Sequence, residues 1–108
     1  MTRVKSGILV SAALRHANKE LIDCVLARRG NHDAGAIFVH IDALDGRHKL
    51  LARSLNLSGE YEWHIITNTE WVDLEAASAR LAAEMKMDQD AFIIAVCDAG
   101  ARNPFDAL

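Results

Sequence analysis

Two stretches of this chain are apolar on both sides of any extended backbone, Gly7–Leu14 near the start and Ala91–Cys97 near the end. In Arg3–Arg15, Ile8, Val10, Ala12 and Leu14 alternate with Leu9, Ser11 and Ala13. That alternation predicts a central strand covered on both faces. Asn18 then offers a helix cap with Glu20 in the first turn, and Leu21, Ile22, Val25 and Leu26 fall at helical spacing. Arg28 and Arg29 suit a helix C-terminus and Gly30 closes it, so a helix is expected over this segment.

The middle of the chain alternates. Ala36–Ala43 and Arg47–Arg53 flank Asp45-Gly46, a two-residue type I′ hairpin signal. That turn would place Ile41 opposite Leu50 and Val39 opposite Ala52. Ile37, Val39, Ile41, Leu50 and Ala52 would then form one apolar face, and Phe38, His40, Asp42, Lys49, Leu51 and Arg53 a mixed one. Glu60–Thr67 reads as a further strand. Asp73 caps a helix reaching about Lys86, whose buried stripe would be Leu74, Ala77, Leu81 and Met85. Ala91–Cys97 is the second central strand.

The resulting order is β-α-β-β-β-α-β, an α+β two-layer sandwich with a mostly antiparallel sheet and both helices on one face. The two terminal strands are expected to pair in mid-sheet. Residues 1–108 read as one domain, with about 99–108 as a C-terminal tail.

Composition narrows the class. At 108 residues, 51% apolar and 25% charged, the chain has room for one core. Those values exclude disorder, a solenoid and a multidomain enzyme. No uncharged run approaches the roughly 20 residues of a membrane helix. The basic, apolar N-terminus breaks at Arg15-His16 with no cleavage site after it, so a cytoplasmic location without membrane contact is expected. Cys24 and Cys97 sit in apolar runs without metal-ligand spacing and read as buried thiols, although a disulfide between them stays open.

Charge is uneven. Residues 1–32 hold six Lys or Arg against Glu20 and Asp23, whereas residues 33–108 hold six against thirteen acidic residues. Such asymmetry points to an anionic partner, to attraction within the fold, or to contact between copies.

Arg28-Arg29-Gly30-Asn31-His32-Asp33 is the densest polar cluster. With Arg15, its Arg28, Arg29, His32 and Asp33 are the candidate binding residues for a small anion or nucleotide. Against this, the segment lacks P-loop spacing and follows an expected helix C-terminus, whose dipole repels anions. His40 and His64 could meet on the mixed sheet face near Asp42, but surface histidines explain them as well, and no metal is expected. Asp88-Gln89-Asp90 fits turn chemistry. No catalytic residue is assigned, because GxSxG, HExxH and Cys/His patterns are absent, and no cofactor is implied. Tyr61, Trp63 and Trp71 cluster in sequence and are candidates for an interface or for the core.

Lys5-Ser6-Gly7-Ile8 running into Arg15, Arg28-Arg29-Gly30 with Asp33-Ala34-Gly35, Leu44-Asp45-Gly46, and Asp88-x-Asp90 before an aromatic-aliphatic strand together resemble one small family. It is the alphaproteobacterial domain-of-unknown-function family numbered 1491, and the resemblance spans nearly the whole chain. It departs at Asn31-His32 and Asp88-Gln89, where the family has Asp-Pro, at Phe92, where it has Trp, and at Cys97, where it has an acidic strand end. The first departure weakens a functional role of His32. The resemblance implies a small cytoplasmic protein and carries over no catalytic residue. The missing catalytic set, the charge asymmetry and the aromatic cluster lead to the function expected, a non-catalytic module that binds a protein partner or itself, the latter as a homodimer. A small-anion or nucleotide binder is the alternative, and a nucleic-acid binder through the basic N-terminal segment the second alternative.

Overall fold

The computed structural model describes residues 4–108. Its elements run α1 (Ser6–Lys19), β1 (Asp23–Arg28), β2 (Ile37–Asp42), β3 (His48–Leu55), β4 (Tyr61–Ile65), α2 (Leu74–Met87), β5 (Phe92–Cys97) and a short 3-10 helix, η1 (Pro104–Ala107). The α+β class stands, and so does the order β-β-β-α-β from β2 onward. The first two elements are exchanged. The expected strand, whose first residue Arg3 lies outside the described residues, is α1, and most of the expected helix is β1.

The reason is local. The buried positions of α1 are Ser6, Gly7, Val10, Ala13 and Ala17, a helical spacing. An all-round apolar run satisfies period 2 and period 3.6 alike, and alanines at 12, 13 and 17 favour the helix. The helix stop carries no glycine. Leu21 takes the left-handed conformation at φ 58°. The Ile22 amide donates to the Ala17 carbonyl at 2.8 Å and the Leu21 amide to Asn18 at 3.4 Å. This is a Schellman motif with leucine at its glycine position, and Ile22 and Ala17 are both buried beside it. Asp23–Arg28 then alternates exposed and half-buried residues, as an edge strand should.

The sheet order is β1-β5-β2-β3-β4. β5 pairs antiparallel with β1 and parallel with β2, and the remaining pairs are antiparallel. Hence β5 lies in mid-sheet, but its partners there are not those expected. The β2–β3 register is one residue off expectation, with Ile41 opposite Lys49 and Val39 opposite Leu51. Leu44 adopts φ 65° and lengthens the turn to Leu44-Asp45-Gly46, closed by the Ala43 amide on the Arg47 carbonyl at 3.0 Å. The Asp42 and Asp45 carboxylates accept from the Leu44 and Arg47 amides inside it. Both faces of β2 are buried, so an apolar face could not select the register.

The two helices cover opposite faces, not one. Val10, Ala13 and Ala17 of α1 pack on Ile37, Val39, Ile41, Phe92, Ile94 and Val96. Leu81 of α2 packs on the other side, against Phe38 and Ala52. Asp73 caps α2 as expected, accepting from the Ala76 amide at 2.8 Å. Of the expected stripe only Ala77 is buried, and Leu74 is exposed. Residues 99–108 are more than a tail, because Phe105 of η1 is 4% exposed and belongs to the core under α1.

Candidate functional site

The Arg28–Asp33 cluster leaves a strand rather than a helix, and the turn that follows is built from its own polar atoms. The Asn31 side chain accepts from the Asp33 and Ala34 amides at 3.0 Å each. The Asn31 amide donates to Asp90, and Gly35 to Asn31. The turn is clamped to the amino end of α1, where Ser6 donates its hydroxyl to the Gly35 carbonyl at 2.7 Å and the Gly7 amide donates to His32 at 2.7 Å. A side chain on Gly35 would run into the Asp90 carbonyl, so only glycine allows this approach.

The five candidate binding residues do not converge. Arg29 and His32 line one cleft of about 290 Å3, shared with Val10, Leu14, Leu26 and Phe92. Asp33 lines a second cleft of about 370 Å3, together with Arg53, Tyr61 and Asp88, and pairs with Lys5 at 3.3 Å. Arg28 donates to the Gln89 carbonyl at 2.6 Å. Arg15 is exposed on α1 and lines neither cleft. The candidate residues are thus spread over several neighbours. The dipole objection to an anion is reversed, since the turn faces a helix amino end. However, the Gly7 amide there is already taken by the His32 carbonyl.

The aromatic candidates do share a region, the β3–β4 wing of the sheet. Trp63 turns inward and stacks on Phe105 at 4.9 Å between centroids. Tyr61 lies 41% exposed with the Arg53 guanidinium over its ring at 3.7 Å. Arg47 and Lys49 both lie over the Trp71 ring, at 4.5 and 4.6 Å. Each ring therefore carries a cation or a second ring, and the cation contacts are worth about 0.5–1 kcal/mol apiece at exposed positions.

One polar row was not legible in the sequence. The registers place His48, Asp42, Cys97 and Asp23 side by side on the α2 face of four adjacent strands. His40, diagonal to His48, joins it through an Nε2–Nδ1 hydrogen bond of 3.0 Å. The expected partner of His40, His64, instead bonds Ser54 at 3.2 Å. The register slip is what brings His48 onto the face of His40. Burial, then His48, push the His40 imidazole below its ordinary value, against the pull of Asp42. Burial, then Asp42 and Asp23, raise the Cys97 thiol. A thiol held protonated between two carboxylates is the reverse of an activated nucleophile. Burial and Asp23 likewise push Cys24 up to about 11. The two cysteines sit on adjacent strands but point to opposite faces, since Cys24 pairs with Val96 and Cys97 with Asp23. They form no disulfide. Among the described residues, no three His, Cys, Asp or Glu side chains come close enough to hold a metal ion. No helix among them is long and apolar enough to cross a membrane.

Comparison with solved structures gives the same fold. A crystal structure of a DUF1491 family protein from Caulobacter crescentus superposes with a TM-score of 0.84 at 22% identity, covering 94% of each chain. An NMR structure of a DUF1491 family protein from the same organism gives 0.83 at 22% identity, covering 96% of this chain and 94% of that one. The solution structure of protein Atu0922 from A. tumefaciens gives 0.74 at 25% identity over 89% and 86%. No curated protein matches. The family model described as "Protein of unknown function (DUF1491)" matches residues 4–106, and the chain belongs to that family.

Proposed function

We propose that this chain is a non-catalytic protein-interaction module of the cytoplasm, and that the β3–β4 wing is its working surface. One observation carries the reading. β4 ends the sheet, and no further strand pairs beyond it among the described residues. An open strand edge is a template for another chain. Tyr61 and Ile65 stand exposed on it, and Trp71 lies close by under two cations. Tyrosine and tryptophan beside arginine are the side chains most used as interface anchors. The scattered polar candidates and the two protonated thiols speak against catalysis, and unpaired cysteines suit a reducing compartment.

Photocrosslinking in cells tests this. A benzophenone amino acid replacing Ile65 should yield a discrete protein adduct, whereas the same probe at the exposed Ala79 of α2 should not. No adduct from position 65, or the same pattern from both positions, overturns the reading.

A further inference from the structure

We infer that the cleft between α1 and β1 takes a small amphipathic monocarboxylate, an anionic head on a short apolar chain, separate from the protein partner proposed for the β3–β4 wing. Gly7, Val10, Ser11 and Leu14 line one wall and fall on a single stripe of α1. Leu26 of β1 and Phe92 of β5 line the other side, and Val10 and Phe92 are almost wholly buried. Arg29, Gly30 and His32, where the chain leaves β1, complete the lining. His32 marks the amino end of α1, since its carbonyl accepts from the Gly7 amide and its ring lies where a β-carbon on Gly7 would stand. Leu14 lies about two turns further along the helix. The basic groups thus belong to one end of an apolar trough. Its volume of about 290 Å3 is small for a ligand site, which suits a chain of a few carbons.

Charge selects the head group. No Asp or Glu lines this cleft. The cleft beside Arg53 also holds Asp33 and Asp88, and the one beside Arg102 holds Glu20 and Asp106, so an anion would meet carboxylates in either. Arg28, Arg47, Arg80 and Arg102 each donate to an oxygen of the chain, and Arg53 lies over the Tyr61 ring. The Arg29 guanidinium makes no hydrogen bond or ion pair among the described residues, and neither does the His32 imidazole. A guanidinium holds a carboxylate through two parallel charge-assisted hydrogen bonds, a geometry that a lone alcohol or amine cannot match. The amino end of α1 adds its partial positive charge on the same side. The apolar walls then supply what a bare anion would leave uncovered.

Titration of the full chain with hexanoate, followed by heteronuclear NMR, should shift the amides of Gly7, Ser11, Leu26 and Gly30 together, with a roughly millimolar Kd. Affinity should rise about fourfold per methylene from acetate to hexanoate, the gain expected from burying each one. Hexanol and inorganic phosphate, which keep the chain or the charge alone, should each bind about tenfold more weakly than hexanoate or worse. Arg29→Gln should weaken hexanoate about tenfold. Arg15→Gln should leave it unchanged, because Arg15 is also exposed but lies outside the cleft. Arg29 is exposed, so its substitution spares the core, and the comparison of acid with alcohol needs no variant at all. Absence of shifts at these amides up to about 50 mM hexanoate overturns the inference. So does hexanol or phosphate binding as tightly as hexanoate, or an Arg29→Gln protein that binds hexanoate as well as the wild type.

Discussion

Phe105→Ala should cost this protein much of its stability. The ring is 4% exposed, packs in the core beneath α1 and lies 4.9 Å from the Trp63 ring. Truncating a buried phenylalanine to alanine removes the transfer free energy of the ring and leaves a cavity, together about 3–5 kcal/mol. The lost aromatic pair accounts for about 0.5–1.5 kcal/mol of such totals. Domains of this size are stable by only about 5–15 kcal/mol. The variant should therefore melt roughly 15 °C lower. Urea unfolding followed by tryptophan fluorescence reads the loss directly, because Trp63 is the contact partner. The exposed Leu108→Ala is the control and should change stability by less than about 0.5 kcal/mol. A loss below about 1 kcal/mol for Phe105→Ala would mean that η1 rests on the fold without supporting it, and the packing argument for the C-terminal segment would fail.

Acid should loosen the sheet through His40. Its folded-state pKa is lowered by burial and His48, whereas in the unfolded chain it titrates near 6.5. The unfolded state then binds the extra proton first, so stability is full above pH 6.5 and falls below it until His40 protonates in the folded chain. The slope is at most about 1.4 kcal/mol per pH unit, less for a half-exposed ring. Urea midpoints at pH 7.5 and 5.0 should differ less for His40→Gln than for the wild type, and equal differences would refute this. Leu21→Gly should stabilise the chain by about 1 kcal/mol, since Leu21 is 89% exposed at φ 58° and a β-carbon gains nothing there. A thermal melt that does not rise would show that the side chain contributes more than its strain.

The parts of the fold legible in the sequence are those where one period excludes the other. The hairpin sides, β4, capped α2 and β5 all appear where their patterns put them. The exchange of α1 and β1 has a physical cause in each element. A run apolar on every side carries no period, and the stop that would have marked α1 as a helix is a leucine in a conformation that sequence assigns to glycine. The hairpin register failed for the complementary reason, because β2 is buried on both faces and either register hides its side chains. The candidate site was legible only as local composition. Tyr61, Trp63 and Trp71 are close in sequence and gather on one wing. Arg15, Arg28, Arg29, His32 and Asp33 depended on the path after β1, and that path sends them to different neighbours. The His40–His48 contact follows from the slipped register, so no reading of spacing alone could find it.

The mid-sheet position of β5 has a consequence for how the chain is made. Among the described residues β1 has no sheet neighbour except β5, which follows it by more than half the length of the chain. While the protein is being synthesised, β1 has nothing to pair with, and one edge of β2 stays bare until the last strand emerges. The hairpin β2–β3–β4 can form early from local contacts, but α1 has no finished surface to lie on. Long-range closure of this kind slows folding and leaves strand edges exposed meanwhile. A ribosome that stalls between α2 and β5 would hold out a nascent chain with unpaired strands on both sides of the gap that β5 is meant to fill.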